Sequence, residues 1–409
     1  MVRNPKHLVL YFERTNTHQK GFYSTSIELI QYSNPPRMNN PQVIVIGGGL
    51  AGLVSALQLS QKGVEVVLVE KKSYPFHKVC GEYVSNEVRP YLGSLGVEIE
   101  ALQPAQLTHF LLSSPAGYTL QTPLDLGGFG LSRYRLDQYL YALAQQQGVD
   151  FRLQVSATDI SFDADIFTVT LSNGQTLQAP VVIGAYGKRS TLDRRLQRPF
   201  FEQRSPYLAV KYHLRAQLPK HVIALHNFSQ GYAGVSAIEE DRYCFCYLTT
   251  RQNLKKHGTI AQLEAEELSK NPLLRDLFAN SESLYTQPEV INEISFAPKA
   301  CLEQHVLMSG DAAGLITPLC GNGMAMAIHS AKLLSEQILL FLNGQQNRAQ
   351  LETHYTQLWQ QQFASRLQTG RVVQRLFGQP LLSDLVITGL KHIPAAVKAI
   401  MRRTHGKPF

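Results

Sequence analysis

Apolar residues along this chain repeat with two different periods, and the switches between them mark its elements. Gln42–Ile46 is a short β-branched run halted by three glycines. Leu50–Gln61 follows at helical spacing, with Leu50, Leu53, Ala56, Leu57 and Leu59 on a broad apolar face. Gly63 closes that helix, and Val64–Val69 predicts a second buried strand. Strand, tight turn, helix and strand make one βαβ unit. A helix is predicted over Arg135–Gln147. Phe151–Val155 and Phe167–Ser172 read as strands of a small meander turning at Ser172-Asn173-Gly174, and Val181–Ile183 is a further apolar run. The pattern then changes to alternation. Tyr207–Leu214, Val222–Asn227, Gly231–Ile238 and Arg242–Thr249 predict successive strands of an antiparallel sheet, interrupted by a helical stretch over Thr259–Ala279. His305–Met308 is a strand running into Gly310-Asp311, Gly323–Leu342 a long helix, and Gln350–His405 mostly helical with breaks at Pro380 and Pro394.

Composition narrows the class. The chain has 409 residues, 44% hydrophobic and 17% charged, an ordinary balance for a folded protein of two or three subdomains. Its net charge of +8 (39 basic, 31 acidic) suits anionic cofactors or membranes, but no basic patch dominates and no nucleic-acid motif is present. The five cysteines lack metal-ligand spacing, so no metal site is expected, and Cys244 and Cys246 share one face of a predicted strand. The expected compartment is a reducing cytoplasm. No apolar run approaches the ~20 residues of a bilayer span. Residues 1–37 read as a dispensable or disordered tail, with Met38 an alternative start. Leu385–Ile400, apolar with basic flanks, offers either a membrane-surface face or an amphipathic packing face.

The chemistry begins at Ile46-Gly47-Gly48-Gly49-Leu50-Ala51-Gly52, which satisfies G-x-G-x-x-G between a strand and a helix. Gly47 permits the tight turn, Gly49 lets backbone approach a pyrophosphate, and Gly52 lets helix and strand pack closely. The helix N-terminus at Leu50 and Ala51 supplies N–H groups. Glu70, 18 residues past Gly52, ends the second strand where a carboxylate accepts ribose hydroxyl hydrogen bonds; Lys71 and Val155 complete the candidate adenosine side. This unit alone does not separate NAD from FAD.

The separation comes from Ser309-Gly310-Asp311-Ala312-Ala313-Gly314, followed by Thr317-Pro318-Leu319-Cys320-Gly321-Asn322-Gly323. This pair resembles the second flavin motif of the geranylgeranyl reductase-like and para-hydroxybenzoate hydroxylase-like FAD-dependent oxidoreductases. The resemblance implies that Gly310 and Asp311 hold the ribityl chain, and that Pro318, Gly321, Gly323 and Met324 present a helix N-terminus to the flavin pyrimidine edge. Reduced flavin carries negative charge there, which a helix N-terminus stabilises. Ser132-Arg133-Tyr134-Arg135-Leu136-Asp137 resembles the family's R-x-x-L-D helix start, which assigns Arg133 to the FAD phosphates. Lys78-Val79-Cys80-Gly81-Glu82 resembles the K-x-C-G-x loop of the reductase branch, which lies over the flavin. The implied fold is α/β: a glutathione reductase-like Rossmann domain (38–206 and 299–345), an inserted antiparallel-sheet substrate domain (207–298) and a C-terminal helical region (346–409).

Two departures bear on activity. The family's G-A-D-G is Gly184-Ala185-Tyr186-Gly187 here, and losing that aspartate weakens the case for NADPH or NADH as donor, although Lys188 and Arg189 remain to attract phosphates. The aromatic Y-x-W-x-F-P signature of prenyl reductases is replaced by Gly231-Tyr232-Ala233-Gly234-Val235-Ser236. The expected reaction is reduction of a double bond in a lipid-like, prenyl or polyketide-derived substrate. Cys80, Glu82 and Tyr232 are the candidate catalytic residues, and Tyr83 and His77 are further proton-donor candidates. The alternatives are a monooxygenase working through a C4a-hydroperoxide, and a non-catalytic prenyl-binding protein of the GDP-dissociation-inhibitor type. The expected partners are a hydrophobic small molecule, a redox-protein donor such as a ferredoxin if nicotinamides fail, and peripheral membrane contact.

Overall fold

The computed structural model describes residues 40–376 together with Asp384, Gly389, Arg403 and 406–409. The readings of residues 1–37 and of Leu385–Ile400 lie outside these. A six-stranded sheet forms the first layer. Its order is Leu302–Glu303, Val306–Met308, Val181–Gly184, Val43–Ile46, Val66–Glu70, Asp150–Leu153. All neighbours are parallel except the edge hairpin of the first two. The central strands are apolar at successive positions because both faces are covered. Helices Leu50–Gln61 and Gly323–Leu342 match the predicted bounds. The latter is long and apolar enough to cross a membrane. Here it packs in the core beside Leu50–Gln61, with Met324, Ala325, Ile328, Leu334 and Ile338 buried.

Several sequence expectations need correction. The run predicted as Phe151–Val155 is the strand Asp150–Leu153, and it joins the parallel sheet beside Val66–Glu70 rather than the meander. The meander is instead Ala157–Asp163, Ile166–Leu171 and Thr176–Ala179. The stretch Thr259–Ala279 is not one helix. Asn271 caps a new helix, Pro272–Ala279, by accepting Leu273 N–H at 3.0 Å. Its amide is held by Ser113 Oγ and the Ser114 and Asn227 carbonyls.

The second sheet has nine strands. The predicted strands appear as Tyr207–Ala216, Val222–Phe228, Gly231–Ala237 and Tyr243–Thr250. Tyr83–Ser85, Ala105–Ser113 and Thr119–Gly130 extend it, so the sheet draws on residues well before 207. It is mixed rather than antiparallel, because Val222–Phe228 runs parallel to Ala105–Ser113. Alternation gives it two faces. Leu208, Val210, Phe245 and Tyr247 point into a core under the helices of 251–279. Ala209, Leu225, Tyr232 and Leu248 point the other way, toward Leu315.

The helix Arg348–Leu376 braces the first layer. Tyr355 Oη donates to the Met308 carbonyl at 2.6 Å, and Trp359 and Leu367 lie against Gly314. Tyr355→Phe strands a buried carbonyl at the end of a core strand. Urea denaturation should show a loss of about 1–3 kcal/mol without a change in denaturant slope.

Candidate functional site

Three parallel strands end at one level. Ile46 is paired with Gly184, and Gly184 with Met308, so Gly47, Ala185 and Ser309 leave the same edge side by side. Ala185 N–H donates to the Ile46 carbonyl at 2.8 Å, and Ser309 N–H to the Gly184 carbonyl at 3.0 Å. The strand ends of a parallel sheet are where such folds bind ligands.

The glycine turn sits there. Gly47 has φ +106°, and a Cβ on it would lie 2.5 Å from the Ala185 carbonyl oxygen. A Cβ on Gly52 would lie 2.0 Å from the Gly47 carbonyl oxygen, so the helix can approach the turn only as glycine. Above Gly49 the space is open but for two cations, with Lys78 Nζ 3.6 Å and an Arg133 nitrogen 3.8 Å from the position a Cβ would take. Leu50 and Ala51 are buried, leaving backbone to face a ligand. Glu70 ends its strand as expected; its carboxylate accepts Gly48 N–H at 2.7 Å and Lys72 N–H at 3.0 Å. Lys71 is exposed, and Val155 N–H donates to the Glu70 carbonyl at 3.3 Å.

Arg133 opens the helix Arg133–Gln146 and grips Asp137 with two hydrogen bonds of 2.7 Å. Lys78 reaches the same carboxylate at 3.1 Å and donates to the Gly48 carbonyl at 3.2 Å. Burial would raise the Asp137 pKa, but Arg133 and then Lys78 hold it below the usual range. The resemblance around K-x-C-G gives Lys78 no task of its own. Its place in K-x-C-G was the available signal.

The second motif meets the first directly, because a Cβ on Gly310 would lie 2.9 Å from the Ala51 Cβ. Gly310 (φ +64°) opens a short turn through Asp311, and its N–H donates to Ser330 Oγ at 2.9 Å. Lys299, its pKa lowered by burial to about 8, donates to the Asp311 carbonyl at 2.9 Å and the Lys188 carbonyl at 2.6 Å. Pro318–Cys320 forms a single turn, Gly321 takes φ +63° beside the Tyr83 ring, and Gly323 starts the long helix with Met324 buried.

The loop Lys78–Glu82 lies between this site and the second sheet. Glu82 has φ +55° and a fully buried carboxylate. It accepts Arg133 N–H at 2.8 Å, Lys211 Nζ at 2.5 Å and His213 Nε2 at 2.6 Å. Burial alone would raise its pKa, but Lys211 and His213 together pull it from 4.5 to about 2. Glu82 therefore carries no proton at neutral pH, the wrong form for the donor role expected from sequence. Lys211 and His213, which sequence reasoning passed over, alternate on one face of their strand. Cys244 joins Glu82 and His213 within 4.8 Å, a grouping with metal-ligand atoms, but the Lys211 ammonium already supplies the balancing cation. Burial raises the Cys244 thiol well above its ordinary range, and its Sγ–H faces the Cys80 carbonyl at 3.3 Å. Cys80 is partly exposed, its Sγ 3.5 Å from Glu82 N.

The other proton-donor candidates are spread out. His77 is held by Tyr285 Oη at 2.8 Å, and burial together with Lys211 lowers its pKa to about 4. The Tyr83 phenol is raised by burial. Tyr232, also raised by burial, accepts Leu319 N–H at 3.1 Å and donates to Gln374 at 3.2 Å, next to Pro318. Tyr186, in the aspartate's place, donates to Asp193 at 3.2 Å beside the buried Asp193–Arg198 pair. Arg189 is engaged by Glu293 and the Phe201 carbonyl.

A glycine cradle under two cations, at the carboxyl edge of a parallel sheet, defines a dinucleotide-binding protein. The chain belongs to the FAD binding domain family, whose model matches residues 40–365. It is 23% identical over 365 residues to digeranylgeranylglycerophospholipid reductase 1 of Methanopyrus kandleri, covering 84% of this chain and 92% of that one. It is 23% identical over 345 residues to tryptophan 2-halogenase of Chondromyces crocatus, covering 80% of this chain and 66% of the halogenase. Its fold matches a geranylgeranyl bacteriochlorophyll reductase-like protein from Thermoplasma acidophilum with a TM-score of 0.73 at 18% identity, over 90% of this chain and 96% of that one. The residues fit FAD. The open space over Gly49, the paired cations and the Gly310–Ala51 contact bring both motifs to one place, where Arg133 and Lys78 would meet phosphates and Asp311 the ribityl chain.

Gly52→Ala should abolish FAD retention, read as loss of the flavin spectrum, because the added methyl meets backbone rather than a movable side chain. The depressed Glu82 carboxyl stabilises the fold fully above pH 4.5, and that share is lost as pH falls toward 2. It amounts to about 3 kcal/mol. Unfolding free energies measured from pH 6 to pH 2 should fall more steeply for the wild type than for Glu82→Gln.

Proposed function

We propose that this protein is an FAD-dependent reductase that saturates a carbon–carbon double bond of a lipid-like, isoprenoid or polyketide-derived substrate. The observation that carries this reading is the apolar cluster between the second sheet and the second flavin motif. Ala209, Leu225, Leu248 and Ile294 pack with Leu315, and Val79 and Leu319 border them from the flavin loops. An apolar boundary of this kind favours a hydrocarbon chain over a charged substrate. The relative named digeranylgeranylglycerophospholipid reductase 1 points the same way. In the same reading the first layer is a glutathione reductase-type Rossmann domain.

Bound in its reduced form, the flavin supplies a hydride. The chain's residues do the rest. Tyr232, within the apolar cluster and keeping its proton through the neutral range, is the acid for the second carbon, with Gln374 as its hydrogen-bond partner. Glu82 stays ionised and fixes the loop over the flavin. Cys80 borders the site as a partly exposed thiol.

The test is anaerobic. Photoreduced protein mixed with a polyprenyl lipid should return to the oxidised flavin spectrum and yield a product heavier by two hydrogens. Tyr232→Phe should slow that step at least tenfold with FAD retained. No anaerobic reoxidation, combined with substrate-stimulated oxygen consumption and a hydroxylated product, sinks the reductase reading in favour of a monooxygenase. A colourless protein unable to take up FAD revives the non-catalytic prenyl-binding alternative. Titration with NADPH and NADH identifies the donor; failure of both points to a redox protein.

A further inference from the structure

The helix that presents Arg133 is held at its N-terminus by the second sheet. Ser132, its cap residue, donates through N–H and Oγ to the buried carboxylate of Glu239, at 2.8 and 2.5 Å. Glu239 follows the strand Gly231–Ala237 and is paired with Arg242 at 2.8 Å. Arg133 N–H donates to Glu82, whose other hydrogen bonds come from Lys211 and His213 on the strand Tyr207–Ala216. Two carboxylates thus meet the positive end of one helix dipole, and both are fixed from the sheet. The Lys78–Glu82 loop is tied to the sheet along its length. Lys211 Nζ donates to the Lys78 carbonyl at 3.2 Å, and Ser236 Oγ to the Gly81 carbonyl at 3.4 Å. At its start the loop delivers Lys78 to the glycine turn.

We propose that Glu82 is a positioning residue through which the second sheet sets how tightly the chain holds FAD. Its carboxylate joins Lys211 and His213 to the helix end that carries Arg133, and its loop carries Lys78, so both phosphate-facing cations take their positions from it. The proposal rests on FAD occupying the glycine turn. It is independent of the reaction the flavin then performs.

The experiment measures FAD dissociation constants by flavin fluorescence on full-length apoprotein. Glu82→Gln and Lys211→Met should each raise the dissociation constant about tenfold, equal to about 1.4 kcal/mol. The double variant should be little weaker than either single one, because both changes break the same link. Glu264→Gln is the control. Glu264 is held by Tyr212 and Tyr247 on the opposite face of the sheet, so it should lower the melting temperature while leaving FAD affinity within about twofold. If Glu82→Gln does not fold, His213→Gln leaves Glu82 paired with Lys211 and must still raise the dissociation constant. The proposal is overturned by singles within twofold of wild type, by additive effects in the double variant, or by an equal loss in Glu264→Gln. A wild type that binds no FAD would instead overturn the cofactor reading itself. A wild type that binds FAD but reduces nothing would overturn only the reductase reading.

Discussion

The site depends on the shared register of three parallel strands. Because Ile46, Gly184 and Met308 end at one level, turns from distant parts of the chain emerge at a single edge. Hydrogen bonds from Ala185 to Ile46 and from Ser309 to Gly184 fix that level. A slip of one residue would turn every buried side chain of a strand to the opposite face. It would also carry Gly310 away from Ala51, and the two motifs would no longer share a ligand.

Much of this was legible in the chain. Leu50–Gln61 and Gly323–Leu342 were readable to the residue because glycine precedes or opens each helix and a polar residue closes the apolar stretch. The glycine turn and Gly310-Asp311 were readable because their demands are local: a tight turn and a close backbone approach. The strands of 83–130 were not. Pro123 and the glycines at 127, 128 and 130 interrupt the alternation, and Gly130 is required only because Ala237, far along the chain, lies against it. Phe151–Val155 reads in the sequence as a strand of the meander, yet Asp150–Leu153 pairs with Val66–Glu70, since so short a run carries no signal of its partner.

The functional residues divide in the same way. Glu82 stood out by its motif, but its protonation state is set by Lys211 and His213, about 130 positions away in sequence. Those two look like ordinary alternating residues of a strand until cross-strand pairing brings them against the loop. Three buried carboxylates around the site each have a cation: Glu82 with Lys211, Asp137 with Arg133 and Lys78, Glu239 with Arg242. Burying a charge is costly unless it is paired and hydrogen-bonded, so such sets constrain relative position strongly. They serve as fixed points on which an anionic ligand site can be built.

Tyr186 shows the same logic where the chain departs from its family. Its phenol takes the aspartate's place in sequence, yet a carboxylate remains close by, because Tyr186 donates to Asp193. Asp193 caps its own short helix by accepting Ser190 N–H at 2.7 Å and is locked to Arg198 at 2.9 Å, with neither side chain meaningfully exposed. Its negative charge is buried and faces the Arg198 guanidinium. What the turn offers to solvent is instead backbone: Gly187 at φ +86° and the segment leading to Lys188. A carboxylate held this way is committed to the fold, where it ties the turn after Gly184 to Arg198.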